Sequence, residues 1–380
     1  MAIRTYLILC MLVVFAKSSQ AQSDFLKADS ISLALYQAAE WKELIVFAEN
    51  TIDRGEDFPL LRLRLAYAFF VRGKYGLALK HYMHVLKEDR FNQTALYQAY
   101  LCNLYLNRLE DAASLARDLE GKNIEGKEVS SFKMLSAGIE SGLKFTNVFE
   151  RGNSTYNRAF LNTRLFYKLN LSQSFVYYRQ PVRNDNIRQP EYYAKLNYTP
   201  FRKINVIGVY HYMKSNLFNQ EFQNNTGLVG IRYAGNSYDL QADFILSQIG
   251  TEDTKQYNLK IVKYLTNNLN LYSISKLSLL AVLGNDNFVY QHLIGFRPLH
   301  RLWFETAATI GDQYNYADAD ALYIYNGFDK TKFKAAANCY FLLKDHLVFG
   351  LNYTFERKSD NIFRFNYLQH SFNGSITWNF

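Results

Sequence analysis

The sequence predicts a multidomain α + β chain: an N-terminal all-α helical repeat followed by a C-terminal transmembrane antiparallel β-barrel of about 14 strands. Three observations predict it. Apolar residues recur at helical spacing from Asp24 to about Gly121 and at period two after about Gly138. The helical pattern repeats every 34 residues. The last ten residues, Ser371 to Phe380, read as a strand with Phe372, Gly374, Ile376, Trp378 and Phe380 on one face and Ser371, Asn373, Ser375, Thr377 and Asn379 on the other. A strand that ends in aromatics suits a barrel that closes on its final strand and places aromatics at the membrane interface, so Phe372, Ile376, Trp378 and Phe380 are expected on the closing strand's outer face.

At the start, Arg4 precedes the apolar run Tyr6 to Ala16, and Ser19-Gln20-Ala21 is a small-x-small site. Residues 1–21 therefore read as a secretory signal peptide, too short to span a bilayer. Cys10 lies inside it, and Leu9 before it argues against lipid attachment. Cys102 and Cys339 fall in different domains, so no disulfide framework is expected. No later stretch has about 18 consecutive apolar residues, so a membrane location requires a closed barrel. Residues 22–136 carry 15 Lys+Arg against 16 Asp+Glu, whereas residues 137–380 carry 26 against 18. The basic surplus is scattered one or two residues per strand and forms no stripe, which argues against nucleic acid.

Residues 22–136 are expected to form the repeat domain. Trp41, Tyr75 and Leu109 are in step, as are Leu44, Ala78 and Ala112, and Ala48, Tyr82 and Ala116. The central copy, with Leu65-Ala66, Phe69, Gly73, Tyr75, Ala78, Tyr82 and Val85, resembles the tetratricopeptide repeat: a small residue where two helices touch, aromatics beside it and Gly at the turn. Helix pairs this short bury their apolar faces only by stacking. The third copy departs, with Tyr100 at the small-residue position, and Arg90 stands at the usual Pro position of the second. Lys127 to Ala137, after the turn residues Gly121 to Gly126, is expected to be a capping helix. His81 and His84 are three apart on one helix, but without a third ligand they read as solvated surface and no metal site is expected.

Residues 137–380 are expected to be the barrel. Leu240, Ala242, Phe244 and Leu246 alternate with Gln241, Asp243 and Ser247, and the same alternation recurs in Leu161 to Leu169, Tyr192 to Tyr198 and Leu347 to Phe355. The predicted strands are 138–147, 155–168, 171–181, 190–199, 203–215, 222–234, 237–249, 254–265, 269–282, 288–297, 301–311, 331–343, 346–357 and 366–380. Their connections are short after even strands and longer after odd ones, up to Asp312 to Lys330. That asymmetry matches the periplasmic turns and extracellular loops of a bacterial outer-membrane barrel. It puts both termini, and the repeat, on the periplasmic side. The strand lengths suit a tilted crossing of about 9–11 residues rather than a soluble sandwich.

Arg164, Lys168, Lys195, Arg232, Lys260 and Lys334, with Asp243, Glu305 and Glu356 as the minority sign, are the candidate lumen-facing charges. A basic lumen would concentrate anionic solutes; equally, such charges could fill a closed, salt-bridged interior, since 14 strands lie between filled and water-holding barrels. No catalytic residue and no cofactor are expected. His370-Ser371 is the one Ser beside a His in the barrel, and adjacent strand residues face opposite ways; no phosphate loop, dinucleotide fingerprint or metal-ligand cluster is present.

Taken over nearly the full chain, the order of signal, short repeat array and barrel with a terminal aromatic resembles the YaiO-type outer-membrane barrel family and, more distantly, exopolysaccharide export porins. The stretch Tyr323 to Phe333, with Tyr325-Asn326 and Lys330, resembles a recurrent segment of such barrels. The resemblance implies periplasmic repeats that scaffold a protein partner and a barrel that carries a saccharide-like polymer or anionic solute. This chain departs by having three repeats and a smaller barrel. The alternatives are a closed barrel that anchors an assembly platform and, third, an outer-membrane lipid-modifying enzyme.

Overall fold

The computed structural model of the chain describes residues 24–119, 123–124, 127–128, 130–183, 185–217, 220–282, 285–326, 329–344, 346–360 and 365–380. The signal-peptide reading of residues 1–21 and much of the Gly121 to Gly126 turn lie outside them. The chain forms two compact units, Met1–Leu106 and Asn107–Phe380, so the division falls between the fifth and sixth helices.

Among the described residues the helices are α1 over 24–37, α2 (Trp41–Asp53), α3 (Pro59–Val71), α4 (Tyr75–Glu88), α5 (Gln93–Tyr105) and α6 (Leu109–Ala116). Local chemistry sets several ends. Pro59 opens α3, where its missing N–H is no loss. The Asn92 side chain caps α5 by accepting from the Ala95 amide at 3.0 Å. The backbone turns left-handed at Ala39, Gly73 and Asn107, with φ of 56°, 67° and 56°. Each lies two residues before Trp41, Tyr75 and Leu109, which open α2, α4 and α6, so the period read from side chains is also a period of the backbone. The in-step residues Leu44, Ala78, Ala112, Ala48, Tyr82 and Ala116 are all buried.

His81 departs from the surface reading: it is buried, stacks on Phe69 with ring centroids 5.7 Å apart and takes Arg62 Nη1 at 2.9 Å on Nδ1. Arg62 is itself held by Asp57 at 2.5 Å. Burial, and then the Arg62 charge, push the His81 imidazole down to about 3. The folded unit therefore binds this proton more weakly than the unfolded chain. Stability is full above the ordinary His value and is lost as pH falls below it. By linkage, moving from pH 7 to pH 5 is expected to cost the helical unit about 2 kcal/mol. Hydrogen exchange of the α3 and α4 amides in the full chain, corrected for intrinsic rates, should show that loss, and His81→Gln should flatten it; the same pH dependence in the variant would contradict the assignment.

From Lys133 the chain is a closed barrel of 14 antiparallel strands in sequential order: β1 (Lys133–Thr146), β2 (Ser154–Phe166), β3 (Leu169–Val182), β4 (Asp185–Phe201), β5 (Ile204–Leu217), β6 (Gln220–Ala234), β7 (Tyr238–Ile249), β8 (Glu252–Tyr264), β9 (Leu271–Val282), β10 (Asn285–Leu299), β11 (Leu302–Gln313), β12 (Asp329–Lys344), β13 (Leu347–Asp360) and β14 (Asn366–Asn379). Closure is made by β14 on β1, from Gln369 opposite Thr146 to Asn379 opposite Ser136. The expected capping helix is not formed. Lys127–Glu128 pairs with Asn123–Ile124, and Lys133 to Ala137 open β1, where ladder bonds to two neighbouring strands outweigh a short helical pattern.

The alternation sorts side chains by face. Ile139, Leu143, Phe175, Leu196, Val229, Leu246, Leu259, Leu351 and the closing strand's Phe372, Ile376, Trp378 and Phe380 stand exposed on the outer wall. An apolar outer wall around a closed ladder is the construction that satisfies every backbone group in hydrocarbon. Several strands run further than the alternation suggested, which corrects the loop asymmetry: β3–β4, β5–β6, β7–β8 and β9–β10 are joined by two residues each, and the long connections after odd strands follow only β1, β11 and β13. The β8–β9 connection on the opposite rim is itself six residues, 265–270.

Candidate functional site in the barrel lumen

The connection after β11 turns back into the barrel. Ala317–Asp318 pairs with Tyr323–Ile324, and the Tyr325 amide donates to the Tyr316 carbonyl at 2.9 Å, so 316–325 is a small hairpin. Its tip is left-handed at three successive non-glycine residues, Ala319, Asp320 and Ala321, with φ of 49°, 55° and 61°. Each alanine there costs roughly 1–2 kcal/mol, a conformation that persists only where surroundings over-determine it.

The surroundings do so. Ala317 and Ala321 pack among Tyr193, Ile207, Val209, Leu228 and Ile245, and Tyr316 packs on Leu280, Val282 and Val289. One side-chain amide, Gln256, satisfies both backbone groups of Ala317, donating to its carbonyl at 2.8 Å and accepting from its amide at 2.9 Å. His211 Nδ1 donates to the Ala321 carbonyl at 2.7 Å, and Tyr193 Oη donates to the Asp320 carbonyl at 3.2 Å.

Two carboxylates make the strongest contacts. Asp318 is gripped by Lys276 of β9 at 2.8 Å and Lys334 of β12 at 2.7 Å. Asp320 is gripped by Lys195 of β4 at 2.6 Å and Lys260 of β8 at 3.1 Å. Gln241 ties Asp320 to Asp243, donating to them at 3.0 Å and 2.9 Å. The hairpin tip thus bridges non-neighbouring strands through two ammonium–carboxylate–ammonium clamps.

The rim on the side of the β4–β5 and β6–β7 turns is engaged by α6. Arg232 meets Asp111 at 3.1 Å and Glu110 at 3.4 Å, and the Asn205 amide donates to Asp111 at 3.3 Å. Both acids lie in the first turn of α6, where the helix dipole favours them. Just before the helix, Arg108 pairs with Asp239 at 2.6 Å, both almost wholly buried, and lies over the Tyr264 ring at 5.0 Å.

Sequence-predicted charges fall accordingly. Lys195, Lys260 and Lys334 converge on the hairpin with Asp243 beside them; Arg232 belongs to the α6 contact. Glu305 accepts from Tyr272, from Asn338 at 3.1 Å and from Tyr340 at 3.5 Å. Glu356 accepts from Gln369 at 2.6 Å, and Arg164 is buried on β2. Lys168 is not a lumen residue: a register shift between Arg164 and Phe166 ends β2 early, and Lys168 sits in the following turn, donating to the Pro200 carbonyl at 2.8 Å. Asp318, Asp320, Lys276, Glu110, Asp111 and Arg108 were not anticipated. The usable signal was the run Ala317-Asp318-Ala319-Asp320-Ala321, small and acidic inside the longest loop of the basic half.

Beside the hairpin a cavity of about 840 Å³ remains, lined by Tyr156, Arg158, Tyr323, Tyr340, Asn338 and Asn352 among others. Arg158 and Glu140 pair across its wall at 2.9 Å, and Tyr323 Oη donates to Glu140 at 3.4 Å. Aromatic faces beside amides, a carboxylate and a guanidinium present stacking surfaces with hydrogen-bonding groups around them.

No protein-family model and no curated protein matches the chain. Among solved structures it is similar to the toluene transporter TodX of Pseudomonas putida, with 8% identity over 65% of this chain and 90% of that one and a TM-score of 0.47. It is also similar to the CymD monoaromatic hydrocarbon channel, with 9% identity over 65% and 89% and a TM-score of 0.47. A bacterial polysaccharide outer membrane secretin matches at 9% identity over 65% and 98%, with a TM-score of 0.39. These likenesses are of barrel architecture alone.

Proposed function

We propose that the chain is a non-catalytic bacterial outer-membrane conduit for a saccharide-like solute or polymer, held closed by its own 316–325 hairpin. A tetratricopeptide-like repeat stands on the periplasmic side, where it docks a protein partner. One observation carries the reading: a strained, separately clamped insert lies inside the barrel, and a polar, aromatic-lined cavity lies between it and the strands. A barrel that served only as an anchor would be filled from its strands, with no need of four lysines from four strands to hold an insert. The cavity's tyrosines and amides suit sugar rings, whose apolar faces stack on aromatics while their hydroxyls exchange hydrogen bonds. The 34-residue recurrence of left-handed backbone and buried positions supports the repeat.

The test is permeation. Replacing 315–326 by a short Gly-Ser turn should let proteoliposomes of the purified chain release an entrapped oligosaccharide that the intact protein retains. Retention by a folded, loop-excised barrel would favour the anchor.

A further inference from the structure

Resting on that reading, we infer that the two lysine clamps form an anion-responsive latch: a carboxylate-bearing saccharide chain displaces Asp318 and Asp320 from Lys195, Lys260, Lys276 and Lys334 and so releases the hairpin. Four ammonium groups face two hairpin carboxylates, and each carboxylate is shared by two cations from strands that are not neighbours. Asp243, joined to Asp320 through Gln241, is the further acid at the tip. The cluster therefore offers an incoming polyanion ion pairs that the aspartates now occupy, in a lumen where low-dielectric walls strengthen them. What the hairpin gains from the exchange is relief of its left-handed tip at Ala319 to Ala321. A neutral sugar contacts the cavity wall but has no group to substitute for the carboxylates, so it does not compete. The cargo class follows from the latch: acidic saccharides open it and neutral ones do not. A ligand shifts a two-state element only through differential affinity, and the lysines supply it because they are free to bind only when the hairpin is out.

The experiment uses the full chain in planar bilayers with three additions: a short oligogalacturonate, a maltooligosaccharide of equal length and potassium chloride at matched ionic strength. The oligogalacturonate alone should open channels, and the double variant D318N/D320N should conduct without ligand and ignore it. Opening by chloride or by the neutral sugar to the same extent would overturn the inference. So would a silent wild type beside a conducting D318N/D320N, which would leave the conduit standing. Silence from D318N/D320N and the loop-excised chain, both folded, would fail the conduit reading itself. Should the double variant not assemble, hydrogen exchange in the wild type decides: oligogalacturonate should speed exchange of the 314–326 amides about tenfold or more, and unchanged exchange would overturn the latch.

Discussion

Deleting Trp378 to Phe380 is expected to reduce membrane-assembled protein about tenfold or more, because it opens the seam on which the barrel closes. Trp378 pairs with Ala137 on one side and Leu347 on the other. The Phe380 amide donates to the Leu135 carbonyl at 3.0 Å and the Asn379 amide to the His346 carbonyl at 2.7 Å. The deletion removes these bonds together with two aromatic side chains of the outer wall, each carrying about 150–250 Å² of surface. The heat-shifted gel band of the folded barrel in isolated outer membranes reads the outcome. A normal yield of shifted band would mean that closure does not depend on the last strand's end.

Arg108→Ala should free α6 from the barrel rim. Asp239 would be left as a buried charge without its cation, a loss of about 3–5 kcal/mol for a pair this enclosed. Exchange of the α6 amides should rise roughly 10²–10⁴-fold if that loss falls on local opening. Arg108→Ala with Asp239→Leu should recover part of the protection, since the stranded charge is gone; no recovery would mean that the Tyr264 ring and the packing of the Arg108 stem, not the ion pair, hold the helix.

The strands were legible because a wall between lipid and lumen imposes period two on every segment that crosses it, and all 14 segments appear within a few residues of where the alternation puts them. The helices were legible because their buried faces impose a helical spacing on apolar residues, as at Leu44, Ala78 and Ala112. Less legible was anything decided between distant residues. The alternation turns Lys195 and Lys260 inward, but it says nothing of Asp320, 125 positions beyond Lys195, in a loop without periodicity. The expectation of an anion-attracting basic lumen therefore changes: Lys195, Lys260 and Lys334 are occupied by hairpin carboxylates and Arg232 by α6. Lys168 was misplaced because a single bulge resets the phase of a strand. His81 was read as surface because its partners, Arg62 and Phe69, come from the preceding helix. Odd-side loops looked longer than they are because a buried polar residue near a strand end, such as Gln189, carries the composition of a turn while keeping the ladder.

Ionic conductance of the purified chain in a planar bilayer, with and without residues 315–326, tests the closed-conduit claim most directly. The intact chain should be silent at rest, and the loop-excised chain, shown to be folded by its heat-shifted band, should give discrete channels that favour anions, because excision uncovers Lys195, Lys260, Lys276 and Lys334. Silence from the folded, loop-excised barrel, or equal conductance from both chains, would contradict it.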